Sequence, residues 1–262
     1  MSRQIANRNY FSKRNNLKYM GSSQFKAFMQ CEAAALAEIK SNMQAPSTKS
    51  MLIGSYVDAY FSGELDNFII EHPEIFTKSG SLLKDFQHAE YIIERIKRDD
   101  MLMKYLSGRK QVIKTGKING VPFKIKIDSY HEGKAIVDLK IVKDFEPIWA
   151  PGKGKVSFIE YWGYDIQAAI YQAIEGNKLP FFIAAATKES EPDIDIFQIP
   201  QSMIDIALEQ VIQLAPRYNA IKQGLEPAAR CGKCVMPRDT ARSHRVIVVH
   251  NCLSLFHKFL LT

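Results

Sequence analysis

The chain has 262 residues, 46% of them apolar and 24% charged, a composition that excludes a fibrous or unfolded protein and suits an ordinary globular one. It is long enough to bury one sizeable core, or two small ones. With no 18-residue apolar run and no leader-like N-terminus, a cytoplasmic protein is expected, and four irregularly spaced cysteines argue against a disulfide framework.

The formal charge of +7 is unevenly spread. No acidic residue precedes Glu32, whereas Arg3, Arg8, Lys13, Arg14, Lys18 and Lys26 do; a second basic cluster, Arg230, Lys233, Arg238, Arg242 and Arg245, sits near the other end. Basic patches of this kind are the sequence-independent footprint of a polyanion partner.

Residues 1–21 lack periodicity and are expected to form an extended basic arm. Ser22-Ser23 offers an N-cap, and Phe25, Phe28, Met29, Leu36 and Ile39 follow at helical spacing, predicting one helix to about Lys40. Asn42 to Lys49, with Pro46, reads as a loop. A helix is predicted from Met51 to about Phe61, where Gly54 and Asp58 share a face. Glycine inside a helix costs about 0.5–1 kcal/mol against alanine, which suggests close packing at Gly54. A third helix is expected from about Lys84 through Leu106, with Phe86, Ile92, Ile93, Ile96 and Leu102 on its apolar stripe.

Strands follow. Gln111 to Ile118 pairs with Val121 to Tyr130 through Asn119-Gly120, the strongest short hairpin signal. A third strand spans about Ala135 to Val142. Pro147 to Lys155 carries two prolines and two glycines and reads as an irregular loop. A helix from about Phe158 to Glu175 places Tyr164, Gln167 and Tyr171 on one stripe. Strands at Phe181–Thr187 and Asp193–Phe197 and a long helix at Ser202–Gly224 complete the order. This is an α+β chain with a central mixed sheet flanked by helices. It is expected as a single domain over 1–262, with a basic arm at 1–21 and a basic, cysteine-containing tail at 226–262.

The stretch of most chemical interest is Phe123-Lys124-Ile125-Lys126-Ile127-Asp128, followed after a turn by Ile136-Val137-Asp138-Leu139-Lys140. Both alternate apolar and polar residues, so Val137, Leu139 and Ile141 should face a core while Asp138 and Lys140 share the other side. With the reversal centred near Glu132, Asp128 and Asp138 would lie diagonally, about 6–8 Å apart at Cβ. Two carboxylates backed by sheet suit Mg²⁺, which can deliver hydroxide and stabilise a leaving oxygen in phosphodiester hydrolysis. Lys140 would orient the attacking water or balance charge. An Asp-x-Lys on a strand is also what a plain solvated face looks like.

Asp128, then Asp138-Leu139-Lys140, then a helix bearing Gln167 and Tyr171 resembles the PD-(D/E)xK nuclease superfamily in its RecB-like branch, most closely the phage exonucleases of the RecE (exodeoxyribonuclease VIII) and lambda type. Ser22-Ser23-Gln24-Phe25 through Cys31 looks like that branch's opening helix, and Gly54-Ser55-Tyr56-Val57-Asp58 like its Gly-x-x-x-His motif, with aspartate in place of histidine. The resemblance implies a restriction-endonuclease-like core. It implies Mg²⁺ (or Mn²⁺) held by Asp128, Asp138 and the Leu139 carbonyl, with Asp58 as a further ligand, Lys140 as the catalytic lysine, and Gln167 and Tyr171 contacting Lys140 or the scissile phosphate. Relatives that hold an iron-sulfur cluster use four cysteines. Here Cys31, Cys231, Cys234 and Cys252 make four, but Cys252 lies too far along and Pro237 stands where similar exonucleases carry a cysteine, so thiols rather than cluster ligands are expected. His244, His250 and His257 give no zinc pattern. Trp149, Lys153 and Lys155, on the loop leaving the catalytic strand, are candidate DNA contacts, with Trp149 free to stack on a base or to tuck into the core.

The expected activity is a metal-dependent deoxyribonuclease, an exonuclease acting on duplex ends for recombination. Rival readings are a structure-selective endonuclease or nickase and a silent DNA-binding module. Members of that branch often form rings around DNA, and a single-strand annealing protein would be a fitting partner.

Overall fold

A computed structural model describes residues 5–41 and 48–232. The basic residues Arg3, Lys233, Arg238, Arg242 and Arg245, the cysteines Cys234 and Cys252, the three C-terminal histidines, Pro237 and residues 42–47 of the loop expected from Asn42 to Lys49 lie outside the described residues.

The Asn119-Gly120 signal closes its hairpin as expected. Both residues take left-handed backbone angles (φ 45° and 78°), as a type I′ turn requires, and join β1 (Arg109–Ile118) to β2 (Val121–His131) with Ile118 opposite Val121. β3 (Ala135–Val142) lies antiparallel to β2 and parallel to β6 (Phe181–Thr187), which pairs with β7 (Ile194–Gln198). The mixed sheet therefore runs β1-β2-β3-β6-β7. Pro147 to Lys155, expected to be irregular, holds a small separate hairpin, β4 (Ile148–Ala150) and β5 (Gly154–Val156), because Gly152 and Gly154 supply the two positive φ angles of its turn.

Two helical layers cover the sheet. On one face Phe123, Ile125 and Ile127 pack with Phe25 and Phe28 of α2 (Ser22–Gln30), Ile170 of α9 (Tyr164–Glu175) and Val211 of α10 (Gln201–Gln223). On the other, Val137 and Leu139 meet Tyr56 and Val57 of α4 (Lys49–Ser62) and Ile92, Ile93 and Ile96 of α6 (Lys84–Lys97). Each fully buried large side chain of these layers contributes about 1.5–3 kcal/mol.

Several elements differ from their sequence signals. The helix expected from Ser22 to Lys40 breaks at Cys31, whose extended backbone (φ −163°) starts α3 (Glu32–Ser41) afresh. The cause is tertiary: Arg217 of α10 grips both Glu32 oxygens at 2.8 Å, and the Ala33 amide donates to the Ala229 carbonyl. Ser22 is not the N-cap; Gly21 is, with no side-chain cap. The long helix expected through Leu106 ends at Lys97, and α7 (Asp100–Tyr105) begins anew under an Asp99 cap that accepts from the Leu102 amide at 2.8 Å. A short helix, α5 (Leu65–Glu71), and a 3₁₀ turn at Pro73–Ile75 fill a stretch left unassigned.

From residue 5 onward the arm is folded rather than extended. Past a 3₁₀ turn at Asn7–Asn9 and α1 (Lys13–Lys18), capped by Ser12, Met20 bonds in parallel beside Phe123, donating to Pro122 and accepting from Lys124, both at 2.9 Å. Gly54 does not owe its place to tight packing, since an added Cβ would meet Ile141 at an ordinary 3.9 Å. Gly108 is more crowded, its missing Cβ lying 2.7 Å from Ser129 Oγ.

Candidate active site

Asp128 and Asp138 meet where two strands part. His131 pairs with Ala135, closing a loop of Glu132-Gly133-Lys134 with Gly133 in the left-handed region (φ 69°), so the reversal centres on Gly133. Continued along the strands, this register sets Asp128 directly opposite Asp138, one step from the diagonal placement expected with a centre at Glu132. The ladder itself stops at Ser129 opposite Val137. Beyond it β3 stays with β6, β2 stays with β1, and the freed edge of β2 takes up Met20 of the arm. In the fork thus opened, Asp128 Oδ2 accepts from the Leu139 amide at 3.2 Å, a side chain standing in for the missing strand bond.

Asp138 is 2% exposed. Its Oδ1 accepts from Gln167 Nε2 at 2.6 Å, and its Oδ2 forms an ion pair with Lys140 without any hydrogen bond of good direction. Burial alone would depress the Lys140 pKa, but Asp138 and Asp128 overcome it and hold the ammonium above its ordinary value. Burial first, then the charges of Asp138 and Asp58, push Asp128 well above the usual carboxylate range. Asp58 reaches the fork from α4, its pKa raised by burial against the pull of Lys140 and Lys126. It lines a small cavity with Ser62, Lys110, Gln111, Asp128 and Leu139. Asp58, Asp128, Asp138 and Lys140 thus stand at one fork.

Two assigned contacts differ. Gln167 touches Asp138, not Lys140. Tyr171 is buried and donates to the Lys126 carbonyl at 2.8 Å, so it secures the β2 backbone beside the fork instead of facing it. Its helix explains both: residues 164, 167 and 171 form one stripe of α9, and the first four-residue piece of the expected helix is separate, α8 (Phe158–Tyr161). The break falls at Gly163, left-handed at φ 62°.

That glycine exposes a residue the sequence did not single out. Lys26 of α2 passes over Gly163, where a Cβ would lie 2.9 Å from its Cδ, and its Nζ donates to the Trp162 carbonyl at 3.0 Å. Lys26 and Lys140 both stand 5.4 Å from the Tyr164 ring centroid. Burial, then the nearby Lys140 charge, lowers the Lys26 pKa to about 8. No local pattern marks such a lysine; only the fold brings position 26 to position 140.

Trp149 is 69% exposed, which excludes the core placement, and pairs across the small hairpin with Lys155. Lys153 is also exposed, near enough to α9 for its charge to act on Asp165. Among the described residues no three Asp, Glu, His or Cys side chains already stand in metal-ligand array. The donor set nonetheless fits a hard divalent cation, which needs only one or two carboxylates: Asp138 Oδ2 is buried with only the Lys140 ammonium beside it and no well-directed hydrogen bond, and Asp128 and Asp58 are crowded acids that positive charge would relieve. Lys140 Nζ approaches the Leu139 carbonyl at 3.5 Å, placing that oxygen at the same fork. Cys31 is buried at the α2–α3 break and Cys231 is part-exposed. No helix among the described residues is long and apolar enough to cross a membrane.

Comparisons with known proteins bear on this site. No curated protein matches the chain. The crystal structure of a "Putative exonuclease" from Eubacterium rectale is similar at 42% sequence identity, over 94% of this chain and 96% of that one, with a TM-score of 0.88. Residues 21–240 match the family described as "PDDEXK-like domain of unknown function (DUF3799)". The match takes in the strands of the fork and the helices on both sides of it, and the chain belongs to this PDDEXK-like family, a nuclease domain by fold and by likeness.

Proposed function

We propose that the protein is a divalent-metal-dependent deoxyribonuclease, an exonuclease that degrades duplex DNA from its ends. The observation that carries this reading is the fork itself, where Asp128, Asp138 and the Lys140 ammonium converge beneath Asp58. Asp128, Asp138 and the Leu139 carbonyl are the proposed metal ligands, with Asp58 as an outer or further ligand. Mg²⁺, or Mn²⁺ in its place, supplies when bound a Lewis acid and an activated water.

The chain's own residues do the rest. Gln167 and the Leu139 amide fix the two carboxylates, so their orientation costs nothing when substrate arrives. Lys140, kept protonated by its acidic neighbours, orients the attacking water and balances charge gathering on the phosphate. Tyr171 holds the β2 backbone at Lys126. Trp149, Lys153 and Lys155, all exposed on the small hairpin that follows β3, are the proposed DNA contacts, the lysines on phosphates and the indole on an unpaired base. The name of the Eubacterium rectale protein supports action from ends, and recombination is the process such trimming would serve, with a single-strand annealing protein and a homo-oligomeric ring as the proposed assembly.

The test is Mg²⁺-dependent release of nucleotides from linear duplex, with covalently closed circles left intact. Asp138→Ala is expected to abolish release; an unimpaired Asp138→Ala protein would overturn the site, and cutting of closed circles would turn the reading to an endonuclease.

A further inference from the structure

β1 and β2 pair without interruption from Arg109 opposite Tyr130 to Ile118 opposite Val121, save at one place: Lys110 faces Ser129 and Val112 faces Ile127, but Gln111 and Asp128 between them do not pair. Gln111 has φ 52°. Among the described residues only Gln111, Asn119 and Lys178 are non-glycines with positive φ, and Asn119 lies in a turn that demands it. Gln111 lies inside a strand. Left-handed backbone is costly for a side chain with a Cβ, and such strain survives where surrounding structure enforces it.

What the kink achieves is visible on β2. Ile125 and Ile127 face the α2–α9 layer, and so does Tyr130, three positions on instead of the two an even strand would give. Ser129 meanwhile bonds the Tyr105 carbonyl of α7 on the opposite side. The strand therefore changes phase at Asp128, and its carboxylate is turned edgewise toward β3. There Oδ2 takes the Leu139 amide and Oδ1 takes Gln111 Nε2 at a long 3.5 Å. Asp128 is thus held from both neighbouring strands, by a main chain on one side and a side-chain amide on the other. The second amide atom, Gln111 Oε1, is buried with no donor, in the wall of the cavity it shares with Asp58, Lys110 and Asp128. A buried carbonyl oxygen left unbonded is expensive unless something that donates protons occupies that cavity.

We infer that Gln111 is a positioning residue of this site: its strained backbone aims the amide so that Nε2 orients Asp128 and Oε1 receives a hydrogen bond from water beside the carboxylates. The inference rests on the nuclease reading above and adds a residue to it. It accounts for three otherwise unrelated observations, the missing pair, the positive φ and the orphaned oxygen.

Gln111→Gly separates strain from function, because glycine accepts φ 52° freely while deleting the amide. It is expected to melt at or above the wild-type temperature, to lose about tenfold in turnover on linear duplex with KM for DNA unchanged, and to bind Mn²⁺ several-fold more weakly by calorimetry. Gln111→Asn, which tolerates left-handed backbone and keeps a shorter amide, is expected between the two. A Gln111→Gly protein with wild-type turnover and wild-type Mn²⁺ binding would overturn the inference, as would a Gln111→Asn protein no better than Gln111→Gly in both readouts. Asp128→Asn run alongside keeps the two readings apart: full cleavage there sinks the site as a whole, whereas an inactive Asp128→Asn beside a fully active Gln111→Gly sinks only the role of Gln111.

Discussion

At the junction of the arm, Lys124 and Lys222 are buried against carbonyls; at the fork, Lys140 is half-buried against carboxylates. Lys124 Nζ donates to the Tyr10 carbonyl and to Asn16 Oδ1 at 2.7 Å, and Lys222 Nζ to the Tyr19 carbonyl at 2.9 Å and Gln24 Oε1 at 3.0 Å. Neutral oxygens satisfy the hydrogens without balancing the charge, so burial lowers these lysines to about 8 and about 7. Lys140, half-buried at the fork, goes the other way, because Asp138 and Asp128 answer it. Burial alone does not set the charge state of a lysine; the sign of its partner counts as well. The junction lysines clamp the arm, and the fork lysine stays an ammonium at any pH near neutrality.

The contrast predicts, first and with the largest effect, that Lys140→Met lowers turnover on linear duplex by about 10²–10³-fold, the range for removing one preorganised electrostatic group. Lys222→Met, assayed under the same saturating metal, is expected to stay within about threefold of wild type. Equal losses in the two variants would erase the distinction.

A second experiment follows pH. Lys124 and Lys222 titrate lower in the folded chain than in the unfolded one, so between about pH 7 and 10 the unfolded state binds more protons and stability rises with pH. Melting temperature measured from pH 7 to 9.5 should climb in the wild type and climb less in Lys222→Met. A slope unchanged by the substitution would mean that the Lys222 ammonium is balanced after all.

The smallest effect concerns the helix that carries Asp58 to the fork. Gly54→Ala is expected to raise stability by about 0.5–1 kcal/mol, since helix propensity improves and the added Cβ meets Ile141 at an ordinary distance. A destabilised variant would show that the fork side of α4 is tighter than the junction, reversing that part of the comparison.

Much of this molecule is legible in its sequence. Asn119-Gly120, the alternation around Asp138-Leu139-Lys140 and the 164–167–171 stripe are local signals, and the structure keeps each of them. What escaped was imposed from a distance. The arm has no periodicity because its order comes from Met20 bonding to β2 and from lysines about 100 and 200 positions away. Cys31 interrupts a good helical pattern because Arg217 and Ala229 hold the start of the next helix. The placement of the two aspartates was one step off because a left-handed Gly133 recentres the turn. Lys26 and Gln111 were invisible, the first because α2 brings it across Gly163, the second because strand alternation carries no sign of a phase change.

The parting of β2 from β3 also bears on when the molecule could act during its own synthesis. Its acidic and basic groups come from positions 58, 128, 138 and 140, and the amide that steadies Asp138 comes from position 167. A nascent chain released only as far as the third strand would hold both aspartates on a bare ribbon, with neither α9 nor β6 to support it. The ribosome would have to deliver the helix at 164–175 before the parts could be clasped, so the fork is completed only after all three of its strands and both flanking helices have emerged.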